Sequence, residues 1–425
     1  MSSVTRRTFV KTAAAAAAVP LFATQVKLAR GQAAGSDRLR VGLVGCGGRG
    51  TGAAAQALTA DRGAVLVAMG DAFMDRLETS LSALKAEHGE QVQVDREHCF
   101  TGFDAYQKVI DSVDVVLLAA PPHFRPAHLK YAVEQGKHVF CEKPMAVDGP
   151  GVRSVIATAE AAKQKKLTLL SGFCWRYSDP ERATFEQVLG GAIGDLTAIY
   201  TCYLTGTLGT HPRQPGWSDM EWQLRNWQHF TWLAGDHIVE QAVHSIDKMS
   251  WAMNGMLPVK CNALGGRQSR TGAESGNVWD HFSVEYEYEN GARGFHMCRQ
   301  NNNCANENTD YLMGTKGTCF INGFGNKHVI KGEKPWEYNG PHRDMYQNEH
   351  DVLFDSIRNG KAHNDGTWMT QSTLLAIMGR MAAYTGQVVT WEQALNSQED
   401  LSPKTYAWGP VPMPAVAIPG QTKLT

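Results

Sequence analysis

The sequence predicts an α/β domain with a doubly wound parallel sheet, followed by an α+β domain with a large, mostly antiparallel open sheet. In the first part of the chain, short apolar strands alternate with helical segments, which is typical of parallel sheets. After about residue 150, β-prone runs follow one another, and a hairpin signal joins two of them. The length of 425 residues suits two or three domains.

The first domain is predicted from elements that alternate between residues 39 and 141. Each predicted strand is a short apolar run, and glycine, proline or polar residues separate it from the next helix. The predicted strands are 39–44, 64–69, 113–119 and 137–141, and the predicted helices are 51–60, 74–88 and 126–135.

The second part begins with a predicted helix and a predicted strand, and strands then predominate. Asn290-Gly291 is a two-residue hairpin signal between two of these strands. We place the boundary near residue 150, which predicts domains at 35–150 and 151–425. The predicted strands are 167–171, 196–204, 278–288, 292–299 and 316–321, and the predicted helices are 152–165, 237–253, 343–358 and 368–385.

Residues 1–34 are predicted to be an export signal rather than part of the fold. They contain no acidic residue, and the consecutive Arg6 and Arg7 precede an apolar run at 12–23. This run is shorter than the roughly 20 apolar residues of a membrane span. The pattern resembles a twin-arginine signal, so we predict a periplasmic or otherwise exported protein with no membrane association after export.

The charge and the cysteines exclude several classes of protein. The formal net charge is −1, and loss of the five bases in 1–34 would leave 36 bases against 42 acids, or about −6. Nucleic-acid binders and polybasic membrane-surface proteins normally carry a basic excess. None of the nine cysteines forms a C-x-x-C pair, so we expect free, mostly buried thiols.

A glycine-rich turn directly follows the first predicted strand and opens the first predicted helix. Gly45, Gly47 and Gly50 fit G-x-G-x-x-G, which in this context indicates a dinucleotide site. The glycines permit a tight turn, close approach of a pyrophosphate and close packing of the helix, whose first N–H groups would meet the phosphates. Gly48 and Arg49 belong to the same turn, and Arg49 either contacts a phosphate or is solvated.

Asp71 ends the second predicted strand, about 20 residues beyond the turn. A carboxylate at this place pairs with the ribose 2′-hydroxyl and repels a 2′-phosphate, so the sequence favours NAD over NADP. Asp71 is also a candidate helix cap, and the two roles are compatible.

The segment 142–144, Glu-Lys-Pro, follows the predicted strand 137–141. It resembles the Glu-Lys-Pro signature of the Gfo/Idh/MocA oxidoreductases, which are dehydrogenases of sugars and cyclitols. The resemblance continues through 121–123, 136–139 and 172–177 and covers essentially the whole mature chain. It implies a Rossmann domain followed by an open-sheet domain that supplies the substrate contacts.

By this resemblance Lys143 is the catalytic lysine, and Glu142 holds the nicotinamide ribose. Oxidation of a carbinol needs a C–H aimed at the nicotinamide and a base for the hydroxyl proton. An ordinary lysine is protonated at neutral pH, and burial beside a positive charge favours the neutral amine. The other predicted cofactor contacts are Pro121, His123, Trp175 and Arg176.

A second group of candidates lies in the long helix predicted near the middle of the chain. In one continuous helix Glu240, His244, Asp247 and Trp251 share a face, which indicates a cleft wall. His244 and Asp247 match the family's histidine and the aspartate three residues later, so His244 is the predicted proton shuttle with Lys143. Glu240 replaces the usual aspartate; it binds a sugar hydroxyl, orients His244 or acts as an acid–base group.

The residues before this helix have open roles. Asp236 and His237 are further site candidates, and Asp236 is equally suited to cap the helix. Trp217, Trp222 and Trp232 either stack on a sugar or pack in the core. The acids and histidines match no standard zinc spacing and the chemistry needs no metal, so no metal site is predicted.

Export would separate the protein from any evident NAD pool, so we expect the nucleotide to stay bound and to be recycled in the site. In one possible cycle, one sugar is oxidised and a second sugar is reduced. In the other, a glycoside is oxidised, cleaved and reduced again; this cycle needs a second base, for which His244, Glu240 and Tyr177 are candidates. A third interpretation is a non-catalytic nucleotide- or sugar-binding protein. The expected partners are a small carbohydrate or polyol and further copies of the chain, as a homodimer or homotetramer.

Overall fold

The computed structural model describes residues 38–425, so the predicted export signal lies outside the described residues. The first sheet contains six parallel strands, as the alternating pattern predicts. They are β1 (Leu39–Val44), β2 (Ala64–Asp71), β3 (Cys99–Thr101), β4 (Val115–Leu118), β5 (His138–Cys141) and β6 (Leu169–Ser171). Their order across the sheet is β3-β2-β1-β4-β5-β6, which is that of a doubly wound Rossmann sheet.

Helices connect these strands and cover both faces of the sheet. They are α1 (Gly48–Ala60), α2 (Met74–His88), α3 (Ala105–Asp111), α4 (Arg125–Glu134) and α5 (Gly149–Gln164). The central strands are apolar along their whole length because both faces are covered; all four residues of β4 are buried. The short β3 and α3 are additional to the elements that the sequence predicts, since neither carries a long periodic pattern.

The parallel sheet extends beyond residue 150. Helix α5 crosses over and returns the chain as β6, which pairs in parallel with β5 from Val139 to Cys141. The sheet therefore ends at Ser171, about 20 residues after the boundary placed from the sequence. The predicted boundary places this strand in the second domain, because the strand signals change character near residue 150, before the last parallel strand has been added.

The second sheet contains nine strands, most of them antiparallel. Its strands are β7 (Leu196–Thr205), β8 (Pro258–Gly266), β9 (His281–Tyr288), β10 (Arg293–Gln300), β11 (Thr309–Gly314), β12 (Gly317–Asn322), β13 (Lys327–Gly332), β14 (Trp336–Glu337) and β15 (Val389–Thr390). The order is β14-β13-β12-β11-β7-β10-β9-β8-β15, and β7 with β10 is the one parallel pair within the described sheet. Asn290-Gly291 joins β9 to β10 as predicted, with Gly291 at a φ of +85°.

One face of this sheet packs on helices, and the helices α11 and α12 contact the first domain. The remaining helices are α6 (Asp179–Leu189), α7 (Asp219–Arg225), α8 (Thr231–Ala234), α9 (His237–Glu240), α10 (Val243–Ala252), α11 (Met345–Arg358), α12 (Gly366–Thr385) and α13 (Trp391–Asn396). Most of α12 is buried, and two of its side chains hold the loop after β5: Thr373 accepts the Met145 N–H at 3.1 Å, and Arg380 donates to the Val147 carbonyl at 2.6 Å.

The cysteines agree with the expectation of free thiols. All nine are unpaired and seven are buried, while Cys99 is partly exposed and Cys304 is exposed. Among residues 38–425, no helix has the length and apolar character to cross a membrane.

Candidate active site

A cavity of about 510 Å³ opens at the carboxyl ends of the parallel strands. It lies where the strand order reverses between β1 and β4, which is the ligand-binding position of doubly wound sheets. The second domain contributes the opposite wall. The predicted residues that line the cavity are Gly45, Gly47, Gly48, Arg49, Gly50, Asp71, Pro121, Glu142, Lys143, Glu240 and His244.

The glycine-rich turn forms a cradle that side chains would fill. Gly45 has a φ of +95°, and a Cβ there would lie 2.4 Å from the Ala120 nitrogen. A Cβ on Gly50 would lie 1.9 Å from the Gly45 carbonyl oxygen, so this glycine lets α1 pack against the turn. Helix α1 begins at Gly48, earlier than predicted, and no side chain caps it. Its first N–H groups therefore face the cavity and suit a phosphate.

Asp71 is fixed by two backbone donors at the end of β2. Its carboxylate accepts the Cys46 N–H at 2.7 Å and the Phe73 N–H at 2.9 Å. Burial raises the pKa of Asp71, and these two hydrogen bonds act in the opposite direction. The carboxylate thus joins the glycine-rich turn to the start of α2 and also lines the cavity.

Glu142 forms an ion pair with the glycine-rich turn. Its Oε1 lies 2.9 Å from Nε of Arg49, and the Arg49 guanidinium lies 4.6 Å from the ring centroid of Tyr346 on α11. Glu142, Arg49 and Tyr346 all line the cavity. Arg49 is therefore neither simply solvated nor free; it orients Glu142 from the helix start.

Arg125 is a buried cation whose hydrogen bonds go to backbone carbonyls. Its guanidinium donates to Ala120 at 3.0 and 3.1 Å and to the carbonyl of Glu142, and it lies 3.5 Å from the carbonyl of Lys143. Only 2% of its surface is exposed. Arg125 thereby ties together the chain segments that follow β4 and β5, and it fixes the backbone that carries Glu142 and Lys143.

Lys143 reaches from the first domain to the second. Its Nζ lies 3.0 Å from Oε1 of Glu240 and also donates to the backbone carbonyl of Glu240. The two side chains are 14% and 12% exposed and line the cavity. Glu240 therefore contacts Lys143 directly, rather than orienting His244.

Two further groups with acid–base character line the same part of the cavity. His244 is buried and its Nδ1 has no hydrogen-bond partner. Burial lowers the pKa of His244 well below its ordinary value, and the charges of Lys143 and Lys248 act in the same direction, so the ring is neutral near pH 7. Tyr203 on β7 is the other group; burial raises its pKa, so its phenol is protonated and offers an O–H donor.

The predicted long helix is broken, which corrects the role of Asp247. Helix α9 ends at Glu240 and α10 begins at Val243, so the side chains on either side do not form one continuous stripe. Asp247 turns away from the cavity and binds Arg176 through two hydrogen bonds of 2.8 Å. It also accepts the Ser372 hydroxyl at 2.6 Å. Asp247 is thus a buried structural partner.

Three predicted cofactor contacts do not reach the cavity lining. Arg176 lies between the rings of Trp251 and Trp368, 4.5 and 4.4 Å from their centroids. The ring of Trp175 contacts the buried Lys248, 4.9 Å away. Both side chains point into the second domain because the short 3-10 turn at Cys174–Tyr177 directs them there.

His123 is the third of these contacts. Its Nε2 lies 2.8 Å from the hydroxyl of Tyr406, and its ring packs on Trp232. Burial lowers the pKa of His123 to about 4, so it is neutral near pH 7. It therefore joins the first domain to the C-terminal segment rather than facing the nucleotide.

Asp236, His237 and Tyr177, whose roles the sequence leaves undecided, make structural contacts. Asp236 caps α9 and accepts the Trp279 N–H at 2.8 Å, and the buried His237 packs on Phe282. The hydroxyl of Tyr177 donates to Asp365 at 2.7 Å, which removes it as the second base.

The tryptophans before the central helices pack together. Trp222 and Trp232 belong to a buried apolar cluster, and Trp217 packs against it. Trp227, which also packs against this cluster, lines the cavity. Arg125, Tyr203 and Tyr346 also line the cavity, and no sequence pattern indicates them, because only the packing of distant segments brings them to the site.

Comparison with known proteins agrees with this geometry. Residues 39–173 match the model described as the oxidoreductase family with an NAD-binding Rossmann fold, and residues 182–320 match the GFO/IDH/MocA C-terminal domain. The chain belongs to the Gfo/Idh/MocA oxidoreductase family. The first of these matches ends close to β6, in agreement with the extent of the parallel sheet.

Inositol 2-dehydrogenase 4 of Saccharopolyspora erythraea is 30% identical over 225 residues, or 51% of this chain and 60% of that protein. The chain spans about half the length of the curated relatives it matches. Aldose-aldose oxidoreductase from Caulobacter crescentus has a similar fold, with 20% identity, a TM-score of 0.65 and coverage of 83% of this chain and 99% of that one. A levoglucosan dehydrogenase in complex with NADH and levoglucosan gives the same values.

The residues of this cavity fit a dinucleotide. The cradle formed by Gly45 and Gly50 has no room for side chains, and the uncapped start of α1 suits the phosphates. Asp71 is placed for a ribose hydroxyl, and Glu142 and Lys143 lie across the switch point from it. NAD is therefore the cofactor that this family's Rossmann domain and these residues accommodate.

Replacing Asp71 with Ala is expected to lower NAD affinity about 10- to 100-fold, because a charge-assisted hydrogen bond is worth about 1.5–3 kcal/mol. It should also narrow the preference for NAD over NADP, since the carboxylate that repels a 2′-phosphate is gone. Titration calorimetry with both nucleotides measures this. Asp104→Ala, at an exposed ion pair with Lys108, is the control. Unchanged NAD affinity in Asp71→Ala would contradict the assignment.

Proposed function

We propose that the protein oxidises and reduces a CH–OH group of a sugar, glycoside or cyclitol, with NAD held in the cavity. The observation that carries this proposal is the contact between Lys143 and Glu240 beside Glu142. Bound NAD supplies the acceptor for the two electrons and the hydrogen that leave the substrate carbon as hydride. The named dehydrogenases among its relatives, including the inositol and levoglucosan enzymes, support this substrate class.

Lys143 and Glu240 together can move the hydroxyl proton. As the C–H bond breaks, the substrate oxygen loses its proton to the Lys143 amine, and Lys143 passes a proton to the Glu240 carboxylate 3.0 Å away. In the reverse direction the ammonium form of Lys143 returns the proton to the carbonyl oxygen. The pair therefore serves both directions of the reaction.

The other polar groups of the cavity suit an uncharged carbohydrate. Neutral His244 can accept a hydrogen bond from a hydroxyl, and the phenol of Tyr203 can donate one. Gln241 is held by Gln300 at 2.6 Å, which fixes its amide at the cavity wall. These groups hold the ring so that the reacting carbon faces the nicotinamide.

We further propose that the nucleotide remains bound and that a second substrate, or the same one after cleavage, regenerates it. An exported enzyme without a free nucleotide pool would otherwise stop after one turnover. In this cycle the electrons that leave the first substrate pass to the second substrate, or back to the first one after its cleavage, so no external oxidant is consumed.

Lys143→Met is expected to slow hydride transfer about 10²–10⁴-fold, the usual contribution of proton transfer by a positioned side chain, while nucleotide binding changes little. The assay mixes nucleotide-loaded protein with a panel of cyclitols, sugars and glycosides and follows the absorbance of the reduced nicotinamide. Lys130→Met, at an exposed surface lysine, is the matched control and should behave like the parent.

Three outcomes distinguish the alternatives. Equal activity of Lys143→Met and the parent would contradict the role of Lys143. Release of an aglycone without accumulation of reduced nucleotide would identify redox-neutral glycoside cleavage. No reaction of the parent with any member of the panel would favour the non-catalytic interpretation.

We propose that residues 1–34 direct export by the twin-arginine route. The consecutive Arg6 and Arg7, the following apolar run and the absence of acidic residues in 1–34 support this. Changing both arginines to lysine should retain the full-length precursor inside the producing cell. Export of the doubly changed protein at the parental level would contradict the proposal.

We propose that the open face of the second sheet pairs with another copy of the chain. Phe295 and Met297 on β10 and Tyr311 and Met313 on β11, the two strands that flank β7, are 37–43% exposed there, and a second copy would cover this apolar patch. Light scattering should give at least twice the chain mass, and Phe295→Arg with Tyr311→Arg should give the monomer. A parent protein that is monomeric at micromolar concentration would contradict this.

A further inference from the structure

The second domain contacts the cavity wall nearest Asp71 through a bidentate ion pair. Arg225, at the end of α7, binds both carboxylate oxygens of Asp75 at 3.0 and 3.2 Å, and Asp75 lies in the first turn of α2. The Arg225 guanidinium also lies 4.0 Å from the ring centroid of Phe73. Because Phe73 itself lines the cavity, Arg225 supports that wall from outside.

The C-terminal segment supports the same wall. The ring of Trp408 lies 5.0 Å from that of Phe103 and 5.5 Å from that of Phe73, and both phenylalanines line the cavity. Two residues earlier, Tyr406 contacts His123 through its hydroxyl and Phe124 through its ring. Trp408 is nevertheless 47% exposed, so it lies over these rings rather than in a core.

Hydrogen bonds join this segment to α7. The Met220 N–H donates to the Gly409 carbonyl at 3.1 Å, and the Gln223 amide donates to the Val411 carbonyl at 3.2 Å. The Val411 N–H donates to Asp219 at 3.3 Å. Helix α7 and residues 401–411 therefore form one unit, which we call the cover.

The cover also forms part of the cavity itself. Leu224 at the end of α7 and the adjacent Trp227 line it opposite the first domain. The wall that the cover supports is next to Asp71, the position of the adenosine ribose in a doubly wound sheet. The aromatic faces of Phe73 and Phe103 suit a purine ring.

We propose that this cover holds the adenosine end of the dinucleotide and makes the nucleotide a resident group rather than an exchanged one. This inference rests on the proposed function, because it assigns the retention of that nucleotide to particular residues. For the adenosine to leave, the cover must move away from the first domain. That movement breaks the Arg225–Asp75 pair and separates Trp408 from Phe73 and Phe103.

Loss of these contacts should accelerate nucleotide release without removing the binding residues. Protein loaded with NADH is mixed with excess NAD, and the fluorescence of the bound nicotinamide is followed with time. We expect the parent to release NADH over hours, and Arg225→Gln and Trp408→Ala to release it at least about 10-fold faster. Asp75→Asn removes the same ion pair from the first domain and serves if Arg225→Gln does not fold.

Two matched variants control for general loosening of the protein. Arg343→Gln breaks another bidentate pair, with Asp179, outside the cavity lining. Met413→Ala removes an exposed apolar side chain from the same C-terminal segment, beyond the cover. Both should release NADH at the parental rate.

Parental release rates in Arg225→Gln, Asp75→Asn and Trp408→Ala would overturn the proposal, as would release by the parent within seconds. A parent that binds no NADH would overturn the proposed function and the cover together. The two proposals can also fail separately. If the parent releases NADH slowly, the cover variants release it fast and Lys143→Met is fully active, the role of the cover is supported and the chemistry assigned to Lys143 is wrong.

Discussion

The contact between Lys143 and Glu240 is the interaction on which the site depends, because it exists only when the two domains are packed together. Lys143 follows the last residues of β5 in the parallel sheet, and Glu240 ends the short α9 of the second domain. Arg125 donates a hydrogen bond to the backbone of the loop that carries Lys143. The same loop continues to Met145, whose N–H donates to Thr373 on α12. The cavity is therefore a property of the domain interface.

Charges near this interface occur in pairs, which limits the cost of burying them. Arg49 binds Glu142, and Arg176 binds Asp247, each at hydrogen-bond distance. Removing one partner of such a pair leaves an uncompensated charge and is far more costly than the pair itself is stabilising. Arg125 differs from these pairs, because its charge is offset by the carbonyl oxygens of Ala120 and Glu142, which follow two parallel strands. The same guanidinium thereby shapes the backbone of the site.

Local patterns in the sequence correctly place the glycine-rich turn and Asp71 at the cavity, whereas three other predicted cofactor contacts, His123, Trp175 and Arg176, lie outside its lining. The turn at Gly45–Gly50 and the acid at Asp71 lie at strand ends, and a strand end in a parallel sheet has a defined place. The substrate half of the site depends on packing between distant segments. The helical pattern through Glu240 and His244 is continuous in the sequence, yet the helix is interrupted between them. Hydrophobic periodicity carries no information about such an interruption, so the sequence predicts one long helix. Tyr203 and Trp408 reach the site only because β7 and the C-terminal segment pack against the first domain, and the sequence does not predict that packing.

If the proposed function is right, the nucleotide is a resident part of the folded protein. Native mass spectrometry of protein purified through gel filtration without added cofactor tests this most directly. We expect one NAD or NADH for each chain, released only on denaturation. Protein that is fully folded and empty, and that binds and releases added NAD freely, would contradict it.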